Sequence, residues 1–254
     1  MKKRKAGIVI FVIVLIITAV RVKSMDSHRI SGRILAENIA GPGMMRLVEQ
    51  SMQAQAQKTS VTEIAVKEWK HPQAALTFDD GPDIRYTPLL LDGLKERNVR
   101  VSFFLLGEKV EQYPELVERM QKEGHLVGNH TYHHVQLNKL NETKAREEIL
   151  KTNNLIYETT GVYPLYLRPP FGAWKKNLEL CVEMLPVFWT IDTLDWKVKN
   201  TEKIVRTVKE QIEDGAIILM HDEYDTSVEA ALQVVDELKN QGYEFVTVDQ
   251  LILP

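Results

Sequence analysis

The sequence predicts an α/β body built on a largely parallel sheet, and three observations carry that prediction. From Gln73 onward, short apolar runs alternate with amphipathic helical patterns, the succession that βαβ units produce. Hydrophobic residues make up 44% of the 254, enough to bury a full core. The segments that carry chemistry follow the apolar runs, where parallel α/β architectures gather their reactive groups. Seven such runs either curl into a barrel or lie open as a doubly wound sheet. No internal repeat is evident.

In chain order, Lys2-Lys3-Arg4-Lys5 precedes an almost uninterrupted apolar stretch from Ala6 to Val20. Positive charge ahead of such a run keeps the start inside and sends the rest across a membrane. As a helix the stretch covers roughly 22 Å against a hydrocarbon core of about 30 Å, and Lys5, Arg21 and Lys23 can snorkel to close the difference. Residues 1–23 are therefore expected to be an uncleaved single-pass anchor with the bulk of the chain outside the cytoplasm. The alternative is a secretory signal cleaved at the weak site Val22-x-Ser24. Residues 24–70 are expected to form a stalk. Gly41-Pro42-Gly43 breaks any helix there, and Ser51 to Ser60 is rich in Gln, Ala and polar residues. A net charge of -3 gives no general pull toward nucleic acid. The single cysteine, Cys181, excludes an intrachain disulfide and reads as a buried thiol within Leu180-Cys181-Val182.

Residues 71–254 make up the predicted folded domain. Strand-like runs fall at 74–78, 100–106, 125–129, 165–168, 186–191, 216–220 and 243–248. Between them, Pro88 to Arg97 aligns Leu90, Leu91 and Leu94, and Tyr113 to Lys122 aligns Leu116, Val117 and Met120. Glu142 to Thr160 carries Ile149, Leu155 and Ile156 on one stripe. Thr201 to Ile212 carries Ile204, Val205, Val208 and Ile212 behind Asn200 as a cap, and Ser227 to Lys239 repeats the scheme.

Thr77-Phe78-Asp79-Asp80-Gly81-Pro82 ends the first run. Neighbours on a strand face opposite ways, so both carboxylates serve one site only if the strand stops and the backbone turns. Gly81-Pro82 supplies that turn. After the third run, Gly128-Asn129-His130-Thr131-Tyr132-His133-His134 places imidazoles at i and i+4, on one face of a helical turn. Neutral imidazole suits zinc and related divalent metals, and His133 is the alternative to His134. Asp80, His130 and His134 make three protein ligands with one position open, the pattern of a catalytic metal. Arg168-Pro169-Pro170-Phe171-Gly172 closes the fourth run with a stiff turn and a charged fork suited to a carboxylate. Asp192-Thr193-Leu194-Asp195-Trp196 and Ile217-Ile218-Leu219-Met220-His221-Asp222 end two further strands.

Taken in this order, the five segments resemble the motifs of the polysaccharide deacetylases of carbohydrate esterase family 4, the group with the NodB homology domain. The resemblance covers roughly residues 73–254 and leaves the anchor and stalk outside it. It implies a distorted (β/α) barrel of about seven strands and metal-dependent removal of acetyl from N-acetylated sugars. On this resemblance Asp80, His130 and His134 hold a divalent metal, zinc first, with cobalt and manganese as alternatives. Asp79 is the general base, Arg168 pairs with it and orients it, His221 protonates the departing amine, and Asp195 fixes the His221 tautomer. A backbone N–H near Phe171 faces the oxyanion, and Trp196 and Leu219 line a small apolar pocket for the acetyl methyl group. Relatives often carry Tyr at the position of Phe171, a departure that bears on substrate contacts. Peptidoglycan is the expected substrate, by location and by analogy. The alternatives are a chitooligosaccharide, an O-acetylated xylan, and a catalytically idle glycan-binding or morphogenesis protein. A monomer is expected.

Overall fold

β1 (Gln73–Asp79) is buried along its whole length, as a central parallel strand covered on both faces must be. The computed structural model describes residues 70–174 and 184–252; the predicted anchor, the stalk and Cys181 lie outside them. Among the described residues no helix is long and apolar enough to cross a membrane. One edge of β1 is taken by β7 (Ala216–His221). The other edge is shared, with β8 (Glu244–Phe245) at its start and β2 (Ser102–Leu105) at its end. β3 (Leu126–Asn129), β4 (Tyr166–Leu167) and β5 (Leu185–Pro186) follow beyond β2, and β6 (Ile191–Asp192) lies beyond β7. The seven strands in the order β5-β4-β3-β2-β1-β7-β6 run parallel as a half-barrel, and β8, also parallel to β1, makes eight in the sheet.

The run at 186–191, expected as one strand, is two. β5 hydrogen-bonds to β4 at one edge of the sheet and β6 to β7 at the other. A single straight strand cannot pair with both edges, so the chain leaves the ladder in between. The N–H of Val187 still donates to Leu167 (2.8 Å), and that of Thr190 to Ile217 (2.9 Å). The chain itself therefore bridges the two edges. The last run also divides, into β8 and the short helix α8 (Val248–Ile252).

The helices predicted from apolar stripes are present as α1 (Tyr86–Glu96), α3 (Pro114–Lys122), α4 (Glu142–Thr160), α6 (Thr201–Gln211) and α7 (Asp225–Asn240). Asn141 caps α4 and Asn200 caps α6, each side chain accepting the N–H three residues on (2.9 Å). The one- to two-turn helices α2 (Gly107–Gln112) and α5 (Asp195–Val198) are too short to show a periodic stripe.

Strand alternation sorts the core into two layers. Ala74, Leu76 and Phe78 of β1 join Leu90, Leu91 and Leu94 of α1 in the outer cluster. Ala75 faces the interior with Phe104, Tyr166, Val187 and Val248. Thr77 and Asp79 share the face of Ala75, so alternation aims them inward. Register does the rest. Asp79 lies opposite Phe104 and His221, and Asn129 opposite Leu167. The residues that follow those strand ends thus meet at the carboxyl end of the sheet.

At the opposite end, His125 stands just before β3, buried, with Nδ1 accepting the Val101 N–H at 3.1 Å. Burial pushes its pKa down to about 4. The neutral ring is therefore favoured by folding, and its contribution is complete above pH 6.5 and lost as pH falls toward 4. A loss of about 3 kcal/mol by pH 4 is expected from this one residue. Urea denaturation of wild type and His125→Asn at pH 7 and pH 4 checks it. The variant should lose markedly less stability across that window, and an equal loss in both proteins would remove His125 as the cause.

Candidate active site

Five strand ends deliver the site. The chain turns at Asp80 itself, whose φ of 68° is left-handed, so Asp79 and Asp80 both reach the inner rim. The positive φ thus falls on Asp80, although the sequence pointed to Gly81. Glycine at 81 is required for space instead: a Cβ there would stand 2.5 Å from Oδ1 of Asp222. Asp222 is wholly buried beneath this turn, accepts the Thr87 hydroxyl, and is pushed up to about 7 by burial.

Asp80 Oδ1 lies 3.4 Å from Nε2 of both His130 and His134. The ligand atoms of the three residues lie within 4.8 Å of one another. His130 Nδ1 donates to the carbonyl of Arg168 at 2.6 Å, which leaves Nε2 unprotonated, facing Asp80 and free to coordinate. Asp80 Oδ1 is buried and has no hydrogen-bond partner among the described residues. Burial pushes this carboxyl up, but the His130 ring and the charges of His134 and His221 outweigh it and hold the group well below the usual carboxylate range. Burial also lowers His134, favouring its neutral form. An orphaned ionised oxygen between two imidazole nitrogens is the donor set of a divalent cation, and these residues fit one.

The segment that presents the two imidazoles is not helical. Thr131 (φ 67°) and His134 (φ 55°) are left-handed. The carbonyls of Thr131 and Tyr132 accept the Gly107 and Glu108 N–H groups (3.0 and 3.3 Å), so they are not used in i to i+4 bonds. The rings nevertheless meet, with centroids 5.0 Å apart. His133, the alternative ligand, turns outward. Its side chain is 58% exposed and its Nδ1 lies 2.8 Å from Glu148.

Asp79 is held from behind. Arg168, 0% exposed, donates from Nη1 to Asp79 Oδ1 (2.8 Å) and to Thr77 Oγ1 (2.7 Å). Its guanidinium carbon lies 4.2 Å from the Phe104 ring centroid. Asp79 Oδ2 is 3.7 Å from His130 Nε2, which puts a free carboxylate oxygen beside the cation site.

On the far side, Asp195 accepts both the His221 ring at Nδ1 and the His221 backbone N–H, each at 2.8 Å. Ser227 Oγ adds a bond to Asp195 at 2.7 Å. Burial pushes His221 down, but Asp195, with Asp79 and Asp80 beyond, outweighs it and raises the imidazole to about 9. Asp195 moves the other way: burial raises it, and the bond and charge of His221 bring it below the usual range. His221 Nε2 is 3.9 Å from Asp80 Oδ2, facing the same space.

Phe171 is 63% exposed, left-handed (φ 59°), with its ring 4.6 Å from that of His134. Trp196 is 49% exposed beside Asp195, whereas Leu219 is buried, two residues before His221 on β7. Sequence reasoning missed Thr77, Ser227 and Glu148. Only Thr77 had a legible signal, through its parity with Asp79 along β1.

The polysaccharide deacetylase family model matches residues 67–187. Over 177 residues the chain is 44% identical to the peptidoglycan-N-acetylglucosamine deacetylase PgdA of Listeria monocytogenes. That match takes in 70% of this chain and 38% of the Listeria protein, so the chain spans little more than a third of that relative's length. A peptidoglycan-N-acetylglucosamine deacetylase of Bacillus cereus is 40% identical over 186 residues, covering 70% of this chain and 68% of that one. The solved structure of peptidoglycan deacetylase PdaC from Bacillus subtilis superposes with a TM-score of 0.70 at 41% identity, covering 72% of this chain and 91% of that chain.

Proposed function

The chain belongs to the polysaccharide deacetylase family, and on that premise we propose that it hydrolyses the acetamido group of N-acetylated sugars in peptidoglycan. The observation that carries this reading is the convergence of Asp80, His130 and His134 between the Asp79–Arg168 pair and the His221–Asp195 pair. Neither pair is needed to bind a glycan; both are needed to move protons.

Asp80, His130 and His134 would hold a divalent cation, which when bound would supply Lewis acidity toward the acetamide carbonyl and a nearby water. Zinc suits two imidazoles and a carboxylate, and cobalt and manganese are the alternatives. Asp79, oriented by Arg168, accepts the proton of the attacking water. A backbone N–H near Phe171 would serve the oxygen on which negative charge develops, the role the family resemblance implies. His221 then gives its Nε2 proton to the nitrogen, because a sugar amine is too basic to leave as an anion. Asp195, bonded at Nδ1, keeps that proton on the nitrogen that faces the site. The C–N bond breaks with the His221 proton on nitrogen. Acetic acid carrying the water oxygen and a free amine leave and then ionise to acetate and ammonium, and the proton on Asp79 returns to His221 through solvent. Trp196 and Leu219 line the acetyl pocket in this reading, and the exposed Phe171 ring offers apolar surface to a sugar.

Relatives named as peptidoglycan deacetylases support the choice of polymer. The basic and apolar amino terminus supports action at the outer face of a membrane, beside that polymer. The test is acetate release from purified peptidoglycan and from chitooligomers, with and without a chelator. Peptidoglycan should yield acetate, the chelator should abolish it and added zinc restore it. Release that survives chelation would overturn the metal-dependent mechanism, and faster release from chitooligomers would overturn the choice of substrate. Mass analysis of the products locates the new amine on glucosamine or muramic acid.

A further inference from the structure

We infer that Glu148 is the positioning residue of the metal-binding loop, and that its carboxylate sets how tightly the loop holds a cation; this rests on the reading of Asp80, His130 and His134 as ligands. The loop needs an external hold. Thr131 and His134 both carry left-handed φ, a conformation that residues with a side chain rarely adopt. Between them lie Tyr132 and His133, whose backbone N–H groups converge on one side chain, while the Tyr132 hydroxyl goes to Glu111. The N–H groups of Tyr132 and His133 both donate to Glu148 Oε2, at 3.0 and 2.9 Å. His133 Nδ1 lies 2.8 Å from Oε1 of the same carboxylate. Two successive backbone amides and a ring on one anion form a nest, closed here by a residue of another element.

The same face of α4 braces the start of the loop. Asn129 donates through Nδ2 to the Ile149 carbonyl (2.9 Å) and to Asn153 Oδ1 (2.6 Å), while its own Oδ1 accepts the Thr131 N–H (2.7 Å). One helix thus fixes the backbone on both sides of Thr131. A carboxylate at 148 has two oxygens that accept. Both amide bonds fall on one of them, so glutamine can keep them and donate to the other tautomer of His133, whereas alanine removes all three contacts. Glu148 touches no candidate ligand atom, so its effect on the cation runs through the placement of His134.

The experiment measures the zinc dissociation constant of the full chain by competition with a chromophoric chelator, together with the urea midpoint of the metal-free protein. Glu148→Ala should weaken zinc about 10–100-fold, the range expected when a group that orients a metal ligand is lost. His133→Ala keeps both backbone bonds and should stay within threefold of wild type. If Glu148→Ala fails to fold, Glu148→Asp, which keeps the charge but falls short by one methylene, carries the same expectation. A folded Glu148 variant that binds zinc within threefold of wild type overturns the inference, even if its urea midpoint falls, because that is what a purely structural role would produce. Wild type that binds no zinc, or His130→Ala that binds as tightly, overturns the ligand set itself and the inference with it.

Discussion

Asp79→Asn should lower kcat/KM for acetate release by about 10²–10⁴-fold, the range of a lost general base. That is about 3–5 kcal/mol of barrier. The substitution is close to isosteric, and an amide oxygen at this position still accepts from Arg168 Nη1, so the geometry behind the site survives. What disappears is the capacity to take a proton. In the proposed ligand set the carboxylate oxygen between the two imidazoles belongs to Asp80, so the variant should still bind zinc. Steady-state kinetics with metal analysis of the same preparation makes the check. Activity within tenfold of wild type removes Asp79 from the base role, and loss of zinc along with activity makes it a ligand instead.

Arg168→Met should destabilise the metal-free protein by about 3–5 kcal/mol, because it leaves a buried carboxylate without its counter-charge. Arg168 and Asp79 are both buried, and the guanidinium also serves the Thr77 hydroxyl. Methionine fills much of the volume, so the loss isolates the unpaired charge from a cavity. Urea denaturation in the presence of a chelator measures it. A loss under about 1 kcal/mol would mean that Asp79 gains little from its partner. The His130 anchor uses the carbonyl of residue 168, which methionine keeps, so zinc affinity should suffer far less than turnover.

Much of this site was legible in the sequence because buried parallel strands read as unbroken apolar runs, and reactive groups sit where those runs stop. Leu76 and Phe78 marked β1, and Asp79 and Asp80 stood where it ends. The stripes on α1, α3, α4, α6 and α7 were readable for the same reason: one face is apolar. The division of 186–191 was not, because it depends on which edge of the sheet each half meets. The course of the chain at His130–His134 was hidden too. The spacing fits a helical turn, but amides of α2 and the carboxylate of Glu148 take the bonds a helix would use. Ser227 looked like any small residue on a helix, and its bond to Asp195 spans 32 residues. Partners so distant leave no periodic trace.

Arg168 grips the two halves of the centre with opposite ends of itself, its carbonyl on His130 and its guanidinium on Asp79. The span from the Asp79 carboxylate to the His130 ring is thereby gauged by the covalent length of one amino acid, a ruler that loop sequence does not stretch. Divergence among such enzymes in which glycan they accept should accordingly accumulate at the rim, around Phe171 and Trp196, while this internal measure stays the same.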